Sequence, residues 1–248
     1  MLKACLNGSR KPGEHKALPI TADELATDAR DSVAAGAGAL HVHPRDSTGA
    51  ETLEPNWIEA ALSAIRVACP GVPVGVSSGA WIEADPGLRN ALIRHWRVLP
   101  DFVSVNLSEP VAEDTINILF GRGIGVEAGI WSVSDARQLI DRHRGRQFVR
   151  TLIELIHEGS ADEPTAVAQE IERALDQAGI SAPRLLHGEG ELAWPMLDYA
   201  VSRGYDIRIG LEDTLVTPDG RAASGNPGLV AEALCRADEA RPDARNGV

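Results

Sequence analysis

DIRIGLED, residues 206–213, alternates without a break between branched apolar side chains and polar or small ones. A period of two is the mark of a β-strand, because successive side chains on a strand point to opposite faces. Ile207, Ile209 and Leu211 then share a face that must be covered by helices. Asp206, Arg208, Gly210 and Glu212 share the other, which in a closed barrel is the lumen.

Seven shorter apolar runs precede this strand, at 2–7, 39–43, 74–77, 102–106, 125–127, 148–154 and 184–187. The stretches between them carry helical signals. Thr21 and Glu24 form a capping box ahead of 25–35, and Ser132 with Asp135 opens another helix. Asp85-Pro86 and Asn226-Pro227 each place an N-cap before proline at the first helical position. Gly179 and Gly204 sit where helices should stop. Eight βα units with short connections and no linker predict a parallel sheet that closes on itself, a single-domain (β/α)8 TIM barrel over 1–240. Residues 241–248 are expected to form a disordered tail. An open doubly wound sheet would carry G-x-G-x-x-G after its first strand, where this chain reads NGSRKPGEH.

Bulk properties exclude several function classes. A net charge of −12 repels phosphate backbones and anionic lipid, so neither nucleic acid nor membrane is an expected partner. Any anionic substrate needs a local basic pocket. Cys5, Cys69 and Cys235 show no paired spacing, the pattern of a reducing compartment. The opening MLKACLNGSRK has no signal-type apolar core, and no apolar run reaches the ~18 residues of a membrane span. A cytoplasmic location is expected.

Strand parity directs Asn7, His41, His43, Ser77, Ser104, Asn106, Glu127, Glu154 and His187 inward, near the C-terminal ends of their strands. Barrel interiors are normally filled by branched apolar residues, so a ring of polar ones marks the mouth as a site. His41 and His43, two apart on one strand, present both imidazoles on one face. Alone, that pattern fits a hydrogen-bonded core as well as a metal. Glu212 favours the metal, because the second and eighth strands both flank the first. Two histidines and a glutamate leave a coordination position open, as in catalytic zinc sites. His187 reads as a fourth ligand or as a loop hydrogen bond, whereas His15, His95, His143 and His157 carry no assigned role. Arg208 and Asp213 read either as a proton-abstracting pair beside the metal or as a buried ion pair. Arg45 and Asp46 are expected to form a salt bridge that orients the histidines.

LNGSRK at 6–11, GAGALHVHPRD at 36–46, VGVSSGAW at 74–81, FVSVNLSEP at 102–110, GVEAGIWS at 125–132, LLHGEG at 185–190 and RIGLEDT at 208–214, with PITADELATDA at 19–29, together resemble the β-keto acid cleavage enzymes. That family includes the 3-keto-5-aminohexanoate cleavage enzyme. The resemblance implies a zinc-bound homotetrameric barrel that converts a β-keto acid and acetyl-CoA into acetoacetate and a new acyl-CoA. It implies His41, His43 and Glu212 as metal ligands, and Arg208 with Asp213 as the base-forming pair, Asp213 taking the proton. Ser77 matches the serine of a substrate loop whose threonine is replaced by Ser78, and Asn106 matches the polar residue ending the fourth strand.

The chain also departs from the aminohexanoate pattern. Arg10 stands at the place of a first-loop glutamate, P-E-x-E is reduced to Val126-Glu127-Ala128-Gly129, and the segment at 154–164 looks trimmed. Asn7, Arg10 and Glu127 are expected to contact substrate. The cation at Arg10 then favours neutral or anionic β-keto acids over amino-bearing ones, unless it meets the phosphates of coenzyme A instead. Two rivals remain: a metal-dependent hydrolase on the same barrel, and a non-catalytic barrel that binds a small acid.

Overall fold

The computed structural model describes residues 1–143, 145–156 and 164–240; the expected tail and most of the trimmed segment lie outside them. Eight strands alternate with eight helices. The strands are β1 (Leu2–Cys5), β2 (Ala39–Val42), β3 (Val74–Ser77), β4 (Phe102–Asn106), β5 (Gly125–Ile130), β6 (Arg150–Leu155), β7 (Arg184–Gly188) and β8 (Ile207–Ile209). The helices are α1 (Ala22–Ala34), α2 (Pro55–Ala68), α3 (Pro86–His95), α4 (Ala112–Gly121), α5 (Val133–His143), α6 (Pro164–Gln177), α7 (Ala193–Ser202) and α8 (Asn226–Glu239). All strand pairs are parallel, and the hydrogen-bonded order runs from β7 down to β1 and then β8. A single bridge, Leu185 to Asp206, joins β7 to β8 and completes a (β/α)8 TIM barrel. None of the described helices is long and apolar enough to cross a membrane.

The period-two pattern sorts the side chains as the sequence requires. Leu2, Ala4, Leu40, Val42, Val74, Val76, Val103, Val105, Ile207 and Ile209 are buried in the apolar layer under the helices. The polar set turns into the lumen. Low in the barrel, Lys3 Nζ lies 2.6 Å from Glu127 Oε2, and both side chains are fully buried. β1 and β5 are opposite one another in an eight-stranded ring, so this pair spans the lumen. Arg150 approaches the other oxygen of Glu127 at 3.2 Å, and both cations lie over the ring of Phe102. A buried ion needs a partner to offset its desolvation, and each charge here has one.

Capping follows the sequence at three of the four helix starts expected to carry it, α1, α3 and α5. Thr21 and Glu24 form the reciprocal box of α1, and Asp85 accepts from Gly87 and Leu88 at α3. At α8 the expectation fails, because the N-cap is Gly225 and Asn226 is already helical. The amide of Asn226 is used elsewhere. It donates to Leu6 O and to Asp28 Oδ2, and accepts from Leu211 N at 2.7 Å. One buried side chain thereby ties the end of β1, α1 and the segment after β8.

That segment is the second difference. β8 stops at Ile209, and Gly210–Asp213 fold into a turn in which Asp213 N and Thr214 N both donate to Gly210 O. Gly210 is required, since a Cβ there would lie 1.8 Å from Cys5 O. Glu212 is thus placed by a turn and not by strand alternation.

Burial raises the Asp28 carboxyl to about 7 from an ordinary 3.8, the Asn226 hydrogen bond opposing it. The folded state holds this proton more tightly than the unfolded one. Its contribution to stability is therefore full below about pH 4 and lost as pH rises through about 7. Asp28→Asn, which keeps an oxygen acceptor, is expected to unfold several degrees above the wild type at pH 8 and to show no advantage at pH 4. Thermal unfolding at the two pH values checks this.

Candidate active site

His41 and His43 converge at the lumen's upper end. His41 lies on β2 opposite Cys5 of β1, and its backbone oxygen accepts from Leu6 N. His43, just past β2, is fixed by Asn7, whose Oδ1 accepts from His43 N at 2.9 Å and whose Nδ2 donates to His43 O at 2.9 Å. The two Nε2 atoms are 3.0 Å apart, and Glu212 Oε2 lies 3.9 Å from one and 3.8 Å from the other. Glu51 Oε1 sits 2.5 Å from His43 Nδ1. A carboxylate at that nitrogen holds the proton there and leaves the Nε2 lone pair free. Burial holds His41 well below the usual histidine range, with the charges of His43, Lys3 and Arg208 acting in the same direction.

The donors fit a divalent metal. His41 Nε2 and His43 Nε2 face one another, and the buried Glu212 Oε2 has no hydrogen-bond partner. His41, His43 and Glu212 offer atoms within 4.8 Å of one another. Two nitrogens and one carboxylate oxygen suit zinc and leave room for substrate.

The carboxylate of Glu212 is held from three sides. Arg208 Nη2 donates to its Oε1 at 2.8 Å. The first loop runs flush against its stem, since a Cβ on Gly8 would lie 2.3 Å from Glu212 Cγ. Arg10 Nε donates to Leu211 O at 3.0 Å and its Nη2 to Glu212 O at 3.4 Å. Arg10 therefore grips the backbone of the turn that carries Glu212 and does not border the cavity. Arg45 makes no pair with Asp46, contrary to the sequence expectation. It donates to the carbonyls of Gly8, Arg10 and Gly49, while Asp46 accepts from Thr48 and Ala50.

Above these groups lies a cavity of about 220 Å³. His41, His43, Glu212, Arg208, Ser77, Ser104 and Asn106 border it, together with Trp81, Trp131, Leu152, Ile156, Glu154 and Glu189. Of the residues expected to contact substrate, Ser77 and Asn106 are on its wall and Asn7, Arg10, Ser78 and Glu127 are not. Ser78 Oγ donates to Ser104 O, and Glu127 is enclosed by Lys3, Arg150 and the Ser104 hydroxyl. Arg208 Nε donates to Asp213 Oδ1 at 3.0 Å and its Nη2 to the same atom at 2.5 Å. Asp213 is 0% exposed and lies behind Arg208, off the cavity wall. His187 Nδ1 is 3.6 Å from Asp213 Oδ1, and its Nε2 is hydrogen-bonded to Glu154 Oε2 at 3.1 Å.

Sequence reasoning missed Glu51, Trp81, Trp131 and Glu189. Glu51 lies in a loop without periodicity, eight residues beyond His43, and only folding brings it back. Trp81 stacks on His43 and donates to Glu51 Oε1. Trp131 Nε1 donates to Glu154 Oε1. Glu189 follows the end of β7, and its carboxyl is raised to about 8 by burial, Arg208 opposing and Asp213, Glu212 and Glu154 adding to the rise.

A model of the β-keto acid cleavage enzyme family matches residues 1–243. The chain belongs to that family. The 3-keto-5-aminohexanoate cleavage enzyme of Fusobacterium nucleatum is 23% identical to it over 96% of this chain and 91% of the relative. Among solved structures, apo ObcA superposes with a TM-score of 0.69 at 17% identity, over 89% of this chain. The chain spans about three fifths, 61%, of the length of that structure. ObcA in a ternary complex with a C4-CoA adduct and oxalate gives a TM-score of 0.69 at 18% identity, over 92% of this chain and 64% of ObcA. At these identities the structures show a shared fold.

For this β-keto acid cleavage family member, His43→Ala and Glu212→Gln are expected to lower zinc bound at equilibrium to near background. The fold should survive, because these side chains sit above the core. Glu51→Gln is expected to weaken zinc binding by about 10–100-fold through loss of the His43 partner. Metal analysis after dialysis, with circular dichroism as the control for folding, checks the three variants.

Proposed function

We propose that the protein joins a β-keto acid to acetyl-CoA and splits the adduct by a retro-Claisen step into acetoacetate and a new acyl-CoA, using zinc held by His41, His43 and Glu212. Family membership supports the reaction class. The observation that carries the reading to this site is the orphaned Glu212 oxygen facing two imidazole nitrogens beside the buried Arg208. A divalent ion bound there supplies a Lewis acid that polarises a carbonyl and offsets the charge of an enolate.

The chain's own groups do the rest. Arg208 presents a guanidinium to the cavity with its orientation fixed by Asp213 and Glu212. That charge suits a substrate carboxylate or enolate oxygen, and a guanidinium stays protonated, so Arg208 is not itself a base. Asp213 works through Arg208, since it reaches no cavity surface. Ser77 Oγ accepts from Gly79 N, which leaves its hydroxyl hydrogen to donate toward a developing oxyanion. Asn106 gives one amide hydrogen to Glu109 and keeps a second. Trp81, Trp131, Leu152 and Ile156 provide apolar wall that limits water.

The side chain of the keto acid meets a different charge pattern from the one expected of Arg10. Among the described residues Arg208 is the cavity's one cation, and it is committed to two carboxylates. Arg10 instead fixes the ligand turn, so it gives no ground for excluding an amino-bearing substrate.

Zinc-loaded protein given a panel of β-keto acids with acetyl-CoA is expected to form acetoacetate and the matching acyl-CoA in equal amounts. Arg208→Lys is expected to lower kcat/KM by about 10²–10³-fold, because the planar fork that spans Asp213 and Glu212 and two of its donors are lost. Formation of acetate and free coenzyme A without acetoacetate would mark a hydrolase and overturn the proposal.

A further inference from the structure

The motif at 102–110 gives Asn106 to the cavity wall and leaves Glu109 and Pro110 without a part in the reaction. An asparagine amide has a donor end and an acceptor end of nearly the same shape, so its use depends on which end faces the substrate. Packing alone does not make that choice. A Cβ on Gly129 would lie 2.6 Å from Asn106 Oδ1 and 2.7 Å from Glu154 Oε1, so the carbonyl end has an acid close by. Turned around, the amide could offer its hydrogens to Glu154 instead. Glu109 decides the matter from the opposite side, because its Oε1 accepts from Asn106 Nδ2 at 2.8 Å. A carboxylate only accepts, so it keeps the NH2 group toward itself.

Glu109 is held in turn. Its Oε2 accepts from Ala80 N at 3.0 Å, in the loop after β3, and lies 3.6 Å from Arg89 Nη1. Arg89 is a residue of α3 only 2% exposed, and its Nη2 donates to Pro110 O at 2.8 Å. With Oε2 spent on these partners, Oε1 is left for Asn106. The next residue, Val111, takes a φ of 58° that β-branched side chains rarely adopt, in the turn whose Pro110 carbonyl meets Arg89. Glu109 itself is not on the cavity wall.

We propose that Glu109, braced by Arg89, is a positioning residue that fixes Asn106 with its second N–H turned to the cavity, an assignment that rests on the retro-Claisen reading. That hydrogen meets the substrate oxygen on which negative charge develops. No bond is made or broken at Glu109, and its effect on rate passes through Asn106. A donor counts most where the oxygen is most negative, so misorienting it lowers kcat more than it raises KM.

Zinc-loaded wild type, Glu109→Gln, Asn106→Ala and the double variant are compared in two assays. One follows acetoacetate formation from a β-keto acid and acetyl-CoA; the other follows C2 proton exchange of acetoacetate in D2O by NMR. Asn106→Ala is expected to lower the saturating rate about 10²-fold in both. Glu109→Gln is expected to lower it about 10-fold or more, with KM within about threefold of wild type and zinc content unchanged. The double variant is expected to run no more than about threefold slower than Asn106→Ala alone, the mark of two residues acting as one unit. Glu109→Asp keeps the charge beside Arg89 but is too short to reach Asn106 and Ala80 together. It replaces Glu109→Gln if that variant folds poorly, and is expected to give the same pattern. Losses that multiply in the double variant, a KM rise with kcat intact, or wild-type rates in either single variant would overturn the positioning role. Exchange that depends on Glu109 in this way, in an enzyme that forms no acetoacetate from acetyl-CoA, would overturn the retro-Claisen reading and leave the positioning in place.

Discussion

The guanidinium of Arg208, almost completely buried, is the constraint around which the upper barrel is arranged. A charge withdrawn from water must be matched by partners of good geometry, and removing one such partner typically costs about 3–5 kcal/mol. Asp213 and Glu212 both meet this need, which they can do only if the chain turns sharply after Ile209. Gly210 makes the turn sterically possible, Asn226 anchors it through Leu211, and Arg10 clamps it from the first loop. The same contacts that neutralise Arg208 leave one Glu212 oxygen aimed at the histidines. Charge matching and the convergence of Glu212 on the two histidines are a single arrangement.

The lumen has two storeys with different chemistry. In the lower one the charges of Lys3, Glu127 and Arg150 are matched around Phe102, and all three side chains are buried. This ionic floor replaces the branched apolar layers expected of such a barrel. Ser104 joins the storeys, bordering the cavity above while its hydroxyl donates to Glu127 below. The polarity of Glu127 is therefore structural, although its strand position is the same kind that carries reactive groups elsewhere in the ring.

In the upper storey, acids outnumber cations, and each acid has a different task. Glu51 sets the tautomer of His43, Glu154 steadies Trp131 and His187, Glu212 faces the histidines, and Asp213 holds Arg208. Glu51 and Glu154 each have partners of their own, while Glu212 and Asp213 share Arg208.

The sequence by itself determined the barrel, its layers and the identity of the converging donors. Period-two alternation fixes which side chains face inward, and capping residues fix where helices begin, so both are readable from neighbours in the chain. His41 was legible for that reason, with His43 just past its strand and Ser77 and Asn106 on the cavity wall, whereas the same alternation pointed to Glu212 for a reason the turn after β8 replaces. Tertiary structure alone decided whether an inward polar group is free or spent. Glu127 is neutralised by Lys3, which lies 124 positions away, and the donors of Arg10 are taken up by carbonyls 201 and 202 positions away. It also decided that Glu212 sits on a turn, that Asp213 is sealed behind Arg208, and that Glu51 returns to His43. Pairing energies at such separations depend on distances set only when the barrel closes, and no local pattern in the chain encodes them.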